Sequence, residues 1–209
     1  MVAITAQMVK ELRERSGAGM MDCKKALVES EGDMKKAAEY LQVKGLAAAA
    51  KRAGRATKEG CIGNYLHHDH KTAVLVEINC ETDFVARTDD FRAFAKNIAM
   101  HICAASPLVV SSDEVDPALI AEQKSVFEKQ AAESGKPADI AEKMAVGRLQ
   151  KWLKEVSLLD QPMFDDDSKT VEQYRAEISS KTGENVRISR FCRMSISDAV
   201  EESQEESAP

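Results

Sequence analysis

Apolar positions recur at helical spacing through the first 45 residues. Met8, Val9 and Leu12 share one face of a first helix, with Thr5 as its N-cap and Gly17 as its stop. Cys23, Ala26 and Leu27 mark a second helix that ends near Gly32. Met34, Ala37, Ala38 and Leu41 stripe a third, capped by Asp33. Three helices in so short a stretch enclose a marginal core, which suits a small binding module. The alanine-rich run "LAAAAKRAGRATKEG" then leads into a linker.

The period changes to two after the linker. "GCIGNYLHH" (60–68) and "AVLVEINC" (73–80) read as strands, the second with Val74, Val76, Ile78 and Cys80 on one face. The turn "DHKT" between them predicts an antiparallel hairpin. A helix over 91–105 follows, with Phe91, Phe94, Ala95, Ile98, Ala99 and Ile102 on its apolar side and Pro107 beyond its end. Residues 117–156 hold two charged helices around "ESGKP", where Gly135 ends one and Pro137 opens the next. Leu119 with Val126, and Ile120 with Phe127, repeat at seven; Ala145, Leu149, Trp152 and Val156 repeat at four, three and four. The pair reads as an antiparallel hairpin of coiled-coil character. A last helix spans 170–181 and stops at Gly183. The strand "NVRISRFCRMS" follows, with Val186, Ile188, Cys192 and Met194 on one face and Arg190 interrupting it.

The fold class expected is α+β, with a small N-terminal three-helix module, a core of three antiparallel strands with helices, and a helical hairpin. The module with the start of the linker covers 1–54, and the core covers 55–197 with the hairpin at 117–156. An acidic, disordered tail is expected over 198–209.

Composition narrows the function. Net charge is −6, yet residues 1–58 hold 12 Lys and Arg against 7 Asp and Glu, and the rest holds 17 against 28. An acidic chain is a poor phosphate tracker, and "KRAGRATK" (51–58) reads as a solvated linker before it reads as a nucleic-acid patch. The five cysteines are spread singly with no C-x-x-C, which fits reduced thiols in a cytoplasmic protein. No run is long enough for a membrane span, and the N-terminus lacks the pattern of a signal peptide.

Catalytic motifs are missing. The chain has no phosphate-binding loop, dinucleotide fingerprint or nucleophile elbow. "HHDH" (67–70) is the one metal-like cluster: His67, Asp69 and His70 either converge at a turn or form an exposed polar turn. His101 and Cys103 lie two apart on a helix and face apart. Two further features stand out. Met20 and Met21 follow a Gly-Ala-Gly loop, as core packing or as a recognition pair. In "TDFV" (82–85), Thr82 or Asp83 caps a helix while Phe84 and Val85 either fill core or face a partner.

Through "KELRERSGAGMMDCKKAL", "EINCETDFVART", "IAMHICAASP", "SGKPADIAEKMAVGRLQKW", "EVSLLDQPM" and "SKTV" the chain resembles the bacterial elongation factor Ts family. The likeness runs in family order up to Met194. It implies a guanine-nucleotide exchange factor for elongation factor Tu, not an enzyme in the bond-making sense, with no cofactor of its own. By that resemblance Thr82, Asp83, Phe84 and Val85 dislodge the partner's Mg2+, and Arg13, Met20, Met21 and His101 contact the partner. The N-terminal module corresponds to a ubiquitin-associated-like domain and the hairpin to a protruding coiled coil. Longer members carry a duplicated core and some a further C-terminal module, whereas here one core copy is followed by the acidic tail. A single thin sheet then leads us to expect a homodimer, with the strand over 186–195 as its interface and Cys192 near its counterpart. An adaptor with an unrelated partner and a metal-dependent hydrolase at His67, Asp69 and His70 are the competing classes.

Overall fold

A computed structural model describes residues 3–196, so the acidic tail at 198–209 lies outside the described residues. In chain order the elements are helices α1 (Ala6–Ser16), α2 (Met20–Glu29) and α3 (Met34–Arg52), strands β1 (Glu59–Leu66) and β2 (Thr72–Cys80), and helices α4 (Asp83–Ala86) and α5 (Asp89–Ala105). They continue with α6 (Pro117–Glu133), α7 (Ala138–Val156), strands β3 (Pro162–Met163) and β4 (Asp166–Thr170), helix α8 (Val171–Thr182) and strand β5 (Arg187–Ser195). Two compact units result: Met1–Met100 with Glu172–Pro209, and His101–Val171.

In the first unit the expected caps are in place. Thr5 Oγ1 accepts the Met8 amide at 3.2 Å, and Asp33 accepts the amides of Lys35 and Lys36 at 2.9 and 3.1 Å. Gly17 closes α1 at φ 65, a conformation open to glycine and costly for residues with a Cβ. Val9, Leu12, Cys23, Ala26, Leu27, Ala37 and Leu41 form the small core that the helical stripes predict.

The mixed α/β character is confirmed by a three-stranded antiparallel sheet in the order β1-β2-β5. Val74, Val76, Ile78 and Cys80 are buried on its inner side, and the six apolar positions of α5 from Phe91 to Ile102 are buried as well. Gly63 lets the backbone of α5 approach β1: a Cβ there would lie 2.5 Å from the Ala95 carbonyl oxygen. Phe94 meets Tyr174 of α8 edge-on at 4.9 Å, and Asn97 donates to the Tyr174 hydroxyl at 3.1 Å.

The face expected for the last strand holds only for its first half. Glu77 pairs with Arg190 and Ile78 with Ile188, so Ser189 is the extra residue of a β-bulge. Parity changes there. Val186 and Ile188 are buried, whereas Cys192 and Met194 lie exposed on the outer face, opposite Leu75 and Ala73.

In the second unit α6 and α7 pack on each other, with Ala131 and Ala145 buried and Arg148 bonded to Gln130 at 2.9 Å. Leu149, Trp152 and Val156 are half-buried as expected. On α6 the inward stripe is Ile120, Gln123, Phe127 and Ala131; Val126 turns outward. The small β3–β4 ladder was not expected from the sequence: β3 is two residues long, and β4 opens on two Asp. No helix among the described residues is long and apolar enough to cross a membrane.

Candidate functional site

β2 ends at Cys80, a buried residue whose thiol donates to the Thr82 carbonyl at 3.2 Å. Burial, reinforced by the nearby Glu184 carboxylate, pushes that thiol up to about 11, so it stays protonated at neutral pH. Thr82 then leaves the extended path as the N-cap of α4, its Oγ1 accepting the Val85 amide at 3.4 Å. Asp83 occupies the first turn and pairs with Arg87 at 3.0 Å across solvent. Phe84 is 80% exposed, Val85 is half-buried, and Ala86 turns inward. Thr82 therefore caps as expected, but Phe84 does not fill core.

Sequence reasoning missed the residues that hold this turn from the far end of the chain. Glu184 accepts the amides of Glu81 and Thr82 at 2.9 and 3.1 Å and the Thr82 hydroxyl at 2.6 Å. Asn185 returns its own amide to the Glu81 carboxylate at 2.6 Å and spans to the carbonyls of Ala53 and Arg55 at 3.2 and 2.9 Å. The Asn185 amide, aided by the Arg55 guanidinium at 3.3 Å, holds the Glu81 carboxyl below its ordinary range. The one sequence signal for this support is "GEN", an acid and an amide directly after the Gly183 helix stop.

The module carries the second set. Arg13 lies exposed in the last turn of α1, and Met20 and Met21 open α2 at 58% and 77% exposure. Three residues separate the two helices, so Arg13 and the methionine pair flank one turn. Core packing for the two methionines is ruled out by their exposure; Cys23, Ala26 and Leu27 fill the core instead.

His101 has a different setting from an exposed contact. It is wholly buried, and its Nδ1 accepts the Phe164 amide at 3.2 Å. That bond leaves the proton on Nε2, which donates to Gln161 Oε1 at 2.8 Å. Gln161 in turn donates to the Glu155 carbonyl at 2.5 Å. His101 thus organises the approach to the β3–β4 ladder and presents no free ring edge.

The polar turn at 67–70 spends its groups locally. His67 Nδ1 meets the Tyr65 hydroxyl at 3.2 Å, and Asp69 accepts the Lys71 amide at 2.9 Å. No group of three or more His, Cys, Asp or Glu able to hold a metal ion occurs among the described residues.

The site is thus an exposed aromatic on a tightly held turn, together with a module that shows two methionines to solvent. Its sequence context matches known proteins throughout. The family model described as elongation factor TS matches residues 2–196. Elongation factor Ts of Nitratidesulfovibrio vulgaris is 54% identical over 195 residues, 93% of this chain and 98% of the relative. The Desulforamulus reducens protein of the same name is 53% identical, covering 100% of this chain and 96% of the relative. That of Geobacter sulfurreducens is 48% identical, over 99% and 96%. A match of this extent leaves one conclusion: the chain belongs to the elongation factor Ts family.

Proposed function

We propose that this translation elongation factor binds elongation factor Tu, dislodges the Mg2+ of its nucleotide site and so promotes GDP release, allowing GTP to rebind. The observation that carries the reading is Phe84, a large apolar side chain left 80% in solvent on a turn held by hydrogen bonds. An exposed aromatic in a fixed direction gains free energy when a partner covers it, and little of that gain is lost to ordering.

In the partner, Mg2+ bridges the nucleotide phosphates and neutralises their charge. A wedge at Thr82–Val85 that shifts the metal's surroundings weakens GDP without breaking a covalent bond, so the chain acts as no enzyme in that sense. Binding the nucleotide-free partner more tightly than the GDP-bound one is required by this cycle, and GDP must weaken the factor's binding by the same ratio. Arg13, Met20 and Met21 supply a second contact on the module; His101 contributes through the residues that it holds in place. The acidic net charge supports a protein partner over nucleic acid, and the site of action is the cytoplasm.

The test is release of labelled GDP from elongation factor Tu with substoichiometric amounts of the chain. Acceleration that turns over many partner molecules is expected. Release at the spontaneous rate, with the chain folded, would refute the exchange reading.

Assembly as a homodimer is a second part of the reading, favoured by the apolar outer face of the sheet, where Ile62, Leu66, Leu75 and Met194 are exposed.

A further inference from the structure

We propose that Glu184 is the positioning residue for Phe84, fixing the direction of the exposed ring before any partner arrives. This rests on the exchange reading above, and deepens it.

α4 has little of its own to hold it. Four residues are too few to hold a helix by their own hydrogen bonds. Ala86 is the one buried residue of the four, and Phe84, the largest apolar group, contributes no packing. Beyond its seating on β1 and β2 through Ala86 and the half-buried Val85, the turn is held by polar contacts from outside.

Those contacts converge on one carboxylate. Glu184 Oε2 takes the amides of Glu81 and Thr82, while Oε1 takes the Thr82 hydroxyl proton at 2.6 Å. A hydroxyl has a single proton, so donating it to Glu184 leaves its lone pairs for the Val85 amide. Glu184 therefore sets the rotor that caps α4, and the first turn of α4 carries Phe84. A charged acceptor makes these bonds stronger than neutral ones.

Glu184 is itself anchored. Its carbonyl accepts the Ser179 hydroxyl at 2.6 Å, and its neighbour Asn185 binds the Glu81 carboxylate. Glu81 and Glu184 thus each hold the backbone of the other's segment. The sheet does not depend on this clamp, because β2 and β5 already pair through their own backbones. What the clamp adds is a fixed bearing for a ring that has no packing of its own.

Hydrogen exchange of the free chain and GDP release from elongation factor Tu test the proposal with Glu184→Ala, Glu184→Gln, Phe84→Ala and the Glu184→Ala/Phe84→Ala pair. In Glu184→Ala the amides of Glu81, Thr82 and Val85 should exchange at least about tenfold faster, while those of Val74, Val76 and Ile78 keep their rates. Fewer molecules then hold the ring correctly, so the concentration for half-maximal stimulation should rise about tenfold with the plateau retained. Glu184→Gln keeps one acceptor oxygen and should fall between. With Phe84 already removed, Glu184→Ala should change stimulation no further. Additive losses in the pair, or unchanged amide exchange, overturn the proposal. If Phe84→Ala alone leaves stimulated release untouched, the wedge role of Phe84 is what falls, and the amide rates still decide whether Glu184 holds the turn.

Discussion

Phe84 and Ala86 lie two residues apart on one short helix, the first 80% exposed and the second 7%. Truncating Phe84 to alanine therefore removes almost no packing, and stability should change by no more than about 0.5 kcal/mol. Stimulated GDP release should drop steeply. Phe94→Ala is the contrast, since Phe94 is fully buried against Tyr174 and its loss should cost about 3–5 kcal/mol. Thermal melts and release rates on both variants separate the two roles; a large melt shift in Phe84→Ala with normal release per folded molecule would contradict the wedge.

Met20 and Met21 make the same distinction within the module. Replacing both by serine should weaken binding to elongation factor Tu several-fold, with the melt nearly unchanged. Leu27, one helix face away and buried, should behave oppositely: Leu27→Ala costs about 2–5 kcal/mol. A binding titration and a melt of each variant suffice. Equal losses of binding and stability in the methionine variant would return the pair to the core.

Local patterns were legible in the sequence because they are fixed by neighbours. Thr5 and Asp33 cap the helices that their spacing announces, and the alternation from Val74 to Cys80 marks the buried face of the central strand. The outward turn of Cys192 and Met194 was not legible, because the bulge at Ser189 arises only when β5 pairs with β2. Nor was the exposure of Phe84: an apolar residue behind an N-cap reads more readily as core, and the expectation that it faces a partner came from the resemblance to a family. Glu184 was hidden for a further reason, since it acts 102 residues away from Thr82. His101 shows the converse, a residue expected to contact the partner whose ring is satisfied inside.

That buried ring carries a pH dependence. Burial holds His101 below its ordinary value of 6.5, and the bond to Gln161 and the charge of Asp165 offset this only in part. The folded state thus favours neutral His101, and protonation would turn Nδ1 from an acceptor into a second donor against the Phe164 amide. This contribution to stability is therefore present above about pH 6.5 and is lost as pH falls from there through the folded value. His101→Gln should be less stable than the parent at pH 7.5, with the gap narrowing by pH 5. Urea unfolding at the two values measures it, and a gap that widens on acidification would reverse the assignment.

Gly63 offers a purely steric test. Its β-strand position places the Ala95 carbonyl where a Cβ would be, and helix backbone cannot yield as a flexible side chain does. Gly63→Ala should cost about 1–3 kcal/mol by pushing α5 from the sheet. Gly147→Ala, on a helix with open space around it, should be neutral or slightly stabilising, since alanine is the better helix former. Urea midpoints of the two variants give the comparison, and equal midpoints would show that α5 accommodates the methyl group.

The outer face of the sheet exposes apolar residues from all three strands. Register places Leu66 opposite Ala73, Ala73 opposite Met194, and Leu75 opposite Cys192, so the apolar residues of three strands form adjoining rows. Leu66, Leu75 and Met194 stand exposed on them. A second copy related by two-fold symmetry would bring an identical apolar face to meet it and turn two half-covered sheets into a sandwich with a shared interior. The Glu77–Arg190 pair at 2.7 Å and the exposed Asn64, opposite Leu75, add polar groups to the same face. The chain should therefore sediment as a dimer at micromolar concentration with reductant present, because the association rests on apolar burial and needs no bond through the free Cys192. Leu75→Lys combined with Met194→Lys should give a folded monomer, since two buried like charges per face cost more than the face gains. Light scattering across a dilution series decides it: a monomer mass for the parent chain throughout, alone and with elongation factor Tu, would exclude the dimer.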